Sequence, residues 1–396
     1  MSRSAEYFYR HVAQTSDFPL ALEIERAEGS WIYTVQGKKY LDLISGISVC
    51  NTGHRHPHVL KAIQQQLDKY LHTMVYGEHI QSPQTLFAQA LCSYLPPQLD
   101  AVYFTNSGAE AVEGAMKLAK RVTGRSEILS CRNAYHGSTQ GALSLMGSEQ
   151  FKNAYRPLLP MTGLVEFNNL NDLSRITSHT AAIFVEPVQG EAGVVPGRQD
   201  YLEALRQRCT ETGTLLVFDE IQTGFGRTGR LFAFEHYNVV PDVLLCAKGM
   251  GGGMPLGGFV ASSARMKLLS REPVLGHITT FGGHPVCCAA GLASLEVLHQ
   301  EDLIPQVEKK NALFVSLLVH PEIREVRHAG LLLAVEFADE ATNQRVIGGC
   351  LERGVISDWF LFNSSSLRLA PPLTITEAEI RFACTTILES IAGCTS

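Results

Sequence analysis

LLVFDEIQTGFGRTG, residues 215–229, and CAKGMGGG, residues 246–253, decide how the rest of this 396-residue chain is read. Leu215, Leu216, Val217 and Phe218 form an apolar run that ends in a carboxylate, Asp219. Such a run reads as a buried strand of a parallel sheet. A second apolar run, Val243 to Cys246, leads to Lys248 and then to a glycine-rich turn. An unpartnered buried charge is costly, so an acid and a lysine at the carboxyl ends of two core strands each require a partner. One bound cofactor that meets both would satisfy the requirement.

Outward from this stretch the chain alternates strands and helices. Strands are predicted at 101–106, 127–131, 181–186, 214–219 and 242–247, and helices at 57–67, 85–95, 109–123 and 200–212. Near-continuous apolar strands alternating with helices mark a parallel sheet covered on both faces. Ahead of them, WIYTVQGKKYLDL (31–43) reads as a hairpin around Gly37, while residues 1–30 are polar and suggest only an arm. From residue 285 the rhythm changes to two long helices, short strands near 323–337 and 367–369, and helices at 340–353 and 376–391. The expected division is a large domain, 46–285, and a small α+β domain, 286–396, joined by the N-terminal segment 1–45.

Bulk properties set the class. With 45% hydrophobic and 18% charged residues, the composition is that of a globular protein. A net charge of −6 and the lack of a Lys/Arg cluster argue against a nucleic-acid partner. The ten cysteines include no C-x-x-C pair and lie in apolar runs, as buried thiols of a reducing compartment do. No signal-peptide core and no long apolar span is present, so a cytoplasmic protein without a membrane partner is expected.

Five features compete for function. TNSGAEA (105–111) ends a strand and opens a helix at once, which offers either an anion-binding helix start or simple capping by Ser107. GFGRTG (224–229) has the spacing of a dinucleotide fingerprint, but it is separated from its strand and opens no helix, so it is read as a tight loop. LLVFDE resembles a nucleotide-hydrolase strand, yet no G-x-x-x-x-G-K-[ST] accompanies it. His54, His56 and His58 alternate like metal ligands, but Pro57 interrupts them and no acid or thiol stands at ligand spacing, so no metal is expected. Lys248, finally, is either a snorkelling lysine or a nucleophile, and the glycines beside it favour space around the amine. A phosphate-binding helix start, a strand-end acid and a strand-end lysine together are what pyridoxal 5′-phosphate (PLP) needs.

TNSGAEA, AYHGST (134–139), VEPVQGEAGV (185–194), FDEIQTGFGRTG (218–229), CAKGMGGGMPLGG (246–258), TTFGGHP (279–285) and LRLAPPL (367–373) occur in the order found in class III PLP-dependent aminotransferases, and the chain resembles the ornithine/acetylornithine type from Trp31 to its last helix. The resemblance implies an α/β chain of fold type I, with a mainly parallel seven-stranded sheet in the large domain. It implies that Lys248 holds the cofactor as a Schiff base and moves the proton, and that Asp219 keeps the pyridine nitrogen protonated. Gln222 would meet the phenolic oxygen, Ile221 and Tyr135 the two ring faces, with His136 beside them. Ser107, Gly108 and Ala109 would hold the phosphate, with Thr280 reaching it from the neighbouring subunit of a homodimer with shared sites. Glu191 and Arg368 would handle substrate, the arginine gripping the carboxylate of 2-oxoglutarate, with Ser138 and Thr279 also in the substrate-binding set.

Two positions depart from the family pattern. Ser138 stands where ornithine and acetylornithine enzymes carry an arginine for the donor's carboxylate, and His284 replaces an asparagine. The expected reaction is transfer of an amino group from an ω-amine or amino acid to 2-oxoglutarate. Racemase, aminomutase or decarboxylase chemistry on the same cofactor is the alternative, and cofactor binding without turnover is a third reading. Which donor is used is left open.

Overall fold

The computed structural model describes residues 2–393. Its central sheet has seven strands, in the spatial order Ala101–Thr105, Gly257–Ala261, Val243–Cys246, Leu215–Asp219, Thr180–Val185, Glu127–Cys131 and Thr162–Val165. Pairings among the last five are parallel, and Gly257–Ala261 runs antiparallel to both of its neighbours. The mainly parallel seven-stranded sheet of fold type I is therefore present. Two of its strands are not legible as apolar runs: Thr162–Val165 is a short edge strand, and Gly257–Ala261 opens with two glycines.

Both faces of this sheet are covered. Leu216, Phe218, Leu244 and Cys246 point into one core, and Leu215, Val217, Val243 and Leu245 into the other. That division follows from the two-residue period of a strand. The helix Gly108–Thr123 covers the second face with Val112, Ala115, Met116 and Ala119, and ends at Gly124, whose φ of 68° is left-handed. The helix Pro285–Gln300 is apolar almost all round, because it is buried between other elements, packing on Pro57–Leu67 and Ser82–Ser93.

The hairpin Trp31–Thr34 and Lys39–Asp42 carries Ile24–Glu28 on one edge and pairs in parallel with Val355–Ile356 on the other. A further sheet holds Glu325–His328, Leu333–Glu336, Asn363–Leu369 and Asp358–Phe360. The N-terminal arm forms a helix, Arg3–His11, that buries no residue. No described helix is long and apolar enough to cross a membrane.

The three alternating histidines do not converge. His54 pairs with Asp42 at 2.8 Å, His56 with Glu301 at 2.9 Å and His58 with Glu296 at 2.6 Å. The loop read from GFGRTG is a turn whose Arg227 is wholly buried, donating to the carbonyls of Leu331 and Pro371 and to Asn51. Burial lowers the pKa of that guanidinium to about 9, against the charges of Cys50 and Asp42. Glu220, the second acid of the DEIQ run, faces away from solvent and accepts bonds from Thr223 Oγ1 and the amides of Ala233 and Phe234. It is a loop-fixing residue, and burial pushes its pKa up to about 7.

Candidate active site

The parallel strands end on one edge of the sheet, where crevices in open α/β sheets receive ligands. At that edge Asp219, Lys248, Glu186, and the segments that follow Thr105 and Cys131, surround a cavity of 520 Å³. Ser107, Gly108, Ala109, Tyr135, His136, Ser138, Asp219, Ile221, Gln222 and Lys248 all line it, so ten expected site residues from four separate stretches meet there. Val49, Met254, Pro255 and Leu256 supply apolar wall. Val49 is delivered by a strained turn, because Ser45, Gly46, Ile47 and Ser48 all have positive φ. A left-handed conformation costs roughly 1–2 kcal/mol per non-glycine residue. The carboxylate of Asp42 offsets part of it by accepting the amides of Ile44 and Ser45 at 2.8 and 2.9 Å.

Asp219 is fixed at both oxygens. Oδ1 accepts the amide of Ile221 at 3.0 Å, and Oδ2 lies 2.7 Å from His136 Nδ1. Burial works against a charge on His136, but its hydrogen bond to Asp219 and the charges of Asp219 and Glu186 outweigh that and raise its pKa. The pair is buried, with side-chain exposures of 0% and 3%. His136 therefore stands behind Asp219 and orients it.

Lys248 faces the cavity and makes no hydrogen bond or ion pair with the described residues. Its φ of 50° is unusual for a side-chain-bearing residue, and strain of this kind, of order 1–3 kcal/mol, clusters at functional sites. Burial lowers the pKa of its amine. Glu191, Asp219 and Glu186 pull it upward, and Arg368 adds to the lowering.

The segment expected to hold the phosphate is a helix start. Ser107 Oγ caps the amide of Glu110 at 3.2 Å, and the helix begins at Gly108. Packing here is tight: a Cβ on Gly108 would lie 2.7 Å from Ile221 Cδ1, and one on Gly257 would lie 2.4 Å from the carbonyl oxygen of Ser107. The second collision is with backbone, so Gly257 is what lets its strand run beneath the Ser107 segment. Gly190 serves Gln222 in the same way, since a Cβ there would meet Gln222 Oε1 at 2.1 Å.

Glu191 and Arg368 form a separate buried cluster. Arg368 Nη1 and Nη2 donate to Glu191 Oε1 and Oε2 at 2.7 and 3.0 Å, a bidentate pair. Nη2 also donates to the carbonyl of Trp359 at 2.6 Å, and the guanidinium lies 4.7 Å from the Phe360 ring centroid. Asp358 Oδ1 forms an ion pair with Arg368 Nε at 2.9 Å, so Glu191 and Asp358 share one cation. These residues do not line the cavity itself, yet their charges act on Lys248. Thr279 lies at the rim, its Oγ1 2.9 Å from Asn106 Nδ2, while Thr280 is exposed and away from this chain's cavity.

Asn106, Glu186, Gly190, Gly257 and Asp358 are missed by sequence reasoning. Four of them lie inside or beside quoted stretches, where one residue drew the attention. Glu186 accepts the amides of Tyr135 and Gly190, both at 3.0 Å, and burial pushes its pKa up to about 7 despite His136. Asp358 carried no signal, because only the β-ladder Asp358–Phe360 with Asn363–Leu369 brings it opposite Arg368.

These residues fit PLP. Gln222 Nε2 is a buried donor without a partner beside the cavity, as a phenolic oxygen requires. A helix start, a fixed carboxylate and an unpaired amine share one cavity whose size suits a cofactor with its substrate.

The comparisons agree. Residues 12–391 match the family model described as aminotransferase class-III. The chain is 38% identical to the acetylornithine aminotransferase of Archaeoglobus fulgidus over 94% of this chain and 96% of that one. It is 35% identical to a [LysW]-aminoadipate semialdehyde/glutamate semialdehyde transaminase of Sulfolobus acidocaldarius, over 93% and 95%. Its fold superposes with a TM-score of 0.89 on the ornithine aminotransferase of Toxoplasma gondii with PLP partly occupying the active site, at 32% identity over 98% and 94% of the two chains. The chain belongs to the class III aminotransferases and is a PLP-dependent transaminase.

Proposed function

We propose that this transaminase moves an amino group from an ω-amine or amino-acid donor to 2-oxoglutarate in two half-reactions, with Lys248 as the residue that carries PLP and moves the proton. PLP, when bound, supplies an aldehyde that takes up the amine and a ring that accepts electrons from the substrate carbon. Asp219, oriented by His136 and the Ile221 amide, holds a negative charge for the ring nitrogen. The amides at Ser107–Ala109 and the amide nitrogen of Gln222 are donors for the phosphate and the phenolic oxygen, and Tyr135 and Ile221 close the two ring faces. Lys248, its pKa lowered by burial, has a free-base form that can take a proton from the substrate carbon and return it.

Arg368 is the carboxylate receptor. Its fork is closed by Glu191, and release of Glu191 would offer the same bidentate geometry to 2-oxoglutarate. We also propose a homodimer in which Thr280 of a second copy completes the phosphate site. Its exposure here supports this, as do the exposed apolar side chains of Val274, Leu275, Ile278 and Phe281 beside it. The proposed division into 46–285 and 286–396 with 1–45 is supported by the pairing of Val355–Ile356 with Lys39–Asp42.

One observation carries the reading: an acid locked by a buried histidine and an unpaired lysine of lowered pKa face the same cavity. The test incubates PLP-loaded enzyme with donor alone, then with 2-oxoglutarate. Loss of the cofactor's visible absorption by the donor and its return with one glutamate formed supports the reading. Carbon dioxide release or racemisation without glutamate overturns it.

A further inference from the structure

Asn106 lines the cavity, and its side chain ties together two segments 173 residues apart. Glu110 Oε2 accepts both its backbone amide, at 2.7 Å, and its Nδ2, at 2.8 Å. One carboxylate therefore fixes Asn106 to the helix start, where Ser107 Oγ accepts the Glu110 amide in return. Nδ2 also donates to Thr279 Oγ1, at 2.9 Å. With both of its hydrogens used, the side-chain amide is held in one orientation.

Thr279 belongs to a segment fastened along its length to the strand Ala101–Thr105 and the helix Gly108–Thr123, which flank Asn106. Tyr103 Oη donates to the His277 carbonyl at 2.7 Å, and Lys117 Nζ to the Gly276 carbonyl at 2.8 Å. A Cβ on Gly282 would lie 2.6 Å from the Phe104 carbonyl oxygen and 3.2 Å from Thr105 Cα, so the two backbones pack directly on each other. Gln84 Nε2 donates to the Gly283 carbonyl at 2.8 Å. Between these anchors the segment turns outward, leaving Thr280 and Phe281 exposed. Close packing transmits displacement rather than absorbing it. A shift of the Ser107–Ala109 amides is therefore carried to Thr280.

We propose that Asn106 is a positioning residue for two cofactor sites at once: it sets the Ser107 segment of its own cavity and, through Thr279, the Thr280 hydroxyl that completes the cavity of a second copy. This rests on the reading in which Thr280 reaches the phosphate of the neighbouring subunit. Asn106 does this work in the second copy's site without touching it. The coupling is reciprocal by linkage, so PLP bound at one site favours the geometry that binds it at the other.

The test uses dimers of two differently tagged copies, isolated through both tags. One copy is native and reports through its Lys248. The other carries Lys248→Ala together with the variant under test. Cofactor absorption and borohydride trapping then read PLP affinity only at a site whose own Ser107 segment and Asn106 are native. Asn106→Ala on the silent copy should weaken PLP at the reporting site about fivefold or more, as expected for one misplaced hydrogen bond to the phosphate. Thr279→Val on that copy should do the same, and Thr279→Ser, which keeps the hydroxyl, should restore the affinity. Thr279→Val also reads the link by itself should Asn106→Ala fail to assemble. A reporting site within about twofold of the Lys248→Ala control for either variant overturns the proposal, because a residue that serves only its own copy cannot move that readout. Thr280→Ala on the silent copy separates the two readings. If it leaves the reporting site unchanged, the reading of Thr280 has failed. If it weakens the site while Asn106→Ala and Thr279→Val do not, the role given to Asn106 has failed alone.

Discussion

Gly257→Ala is the sharpest test of how the proposed phosphate segment is built. The added methyl would sit 2.4 Å from the Ser107 carbonyl oxygen and 2.6 Å from its carbon, where ordinary contact begins at 3.4 Å. The obstacle is backbone already committed to the first helical bond, Ala111 N to Ser107 O at 3.1 Å, so no rotamer change relieves it. The segment must give by about 1 Å, and overpacking of this kind costs about 1–3 kcal/mol. Because the collision falls on the helix start proposed to bind the phosphate, we expect it to appear as PLP affinity weakened about 10- to 100-fold. The assay is a spectroscopic titration of PLP into apo-enzyme, with thermal melts of the apo forms alongside. Gly251→Ala is the control, since a Cβ there meets nothing closer than Leu256 Cβ at 3.4 Å. A Gly257→Ala enzyme that binds PLP within twofold of native, or a control that loses more, would refute the reasoning.

Other expectations follow from the same geometry. Asp219→Asn keeps the size of the side chain but removes the charge from His136 and the ring nitrogen, so both half-reactions should slow by roughly 10²- to 10⁴-fold in stopped-flow traces. Arg368→Ala should abolish the 2-oxoglutarate half-reaction. It should also lower the melting temperature, because Glu191 and Asp358 lose their common cation, at about 3–5 kcal/mol for a broken buried pair. Arg368→Lys should restore little of the acceptor rate, as an ammonium cannot make the bidentate contact.

Much of the fold is legible because burial on both faces leaves apolar runs that need no partner to be recognised. Leu215–Asp219 and Val243–Cys246 lie where those runs predict, and the helix Pro57–Leu67 has the predicted bounds. Gly257–Ala261 escapes because its first two residues have no side chains, and that absence is the feature the site depends on. Residues 1–30 are harder still. The helix Arg3–His11 buries nothing in this chain, so its sequence records no packing that local reasoning could detect.

At the site, residues whose task is set by their own chemistry stand out: Lys248 and Asp219 as charges at strand ends, Ser107 and Gly108 at a helix start. Residues that act through another are hidden. His136 orients Asp219, Glu186 ties the Tyr135 amide to that of Gly190, and Asp358 stands against Arg368 only through strand pairing. None of these contacts is local in sequence, which is why the arrangement is seen only in three dimensions.

The attachment of the cofactor tests the central claim most directly. Borohydride reduction of the PLP-loaded enzyme, followed by proteolysis and mass spectrometry, should place one phosphopyridoxyl group on the peptide containing Lys248, and Lys248→Ala should carry none. Modification of a different lysine, or none in an enzyme that still forms glutamate, would contradict the assignment of Lys248 and the account built on it.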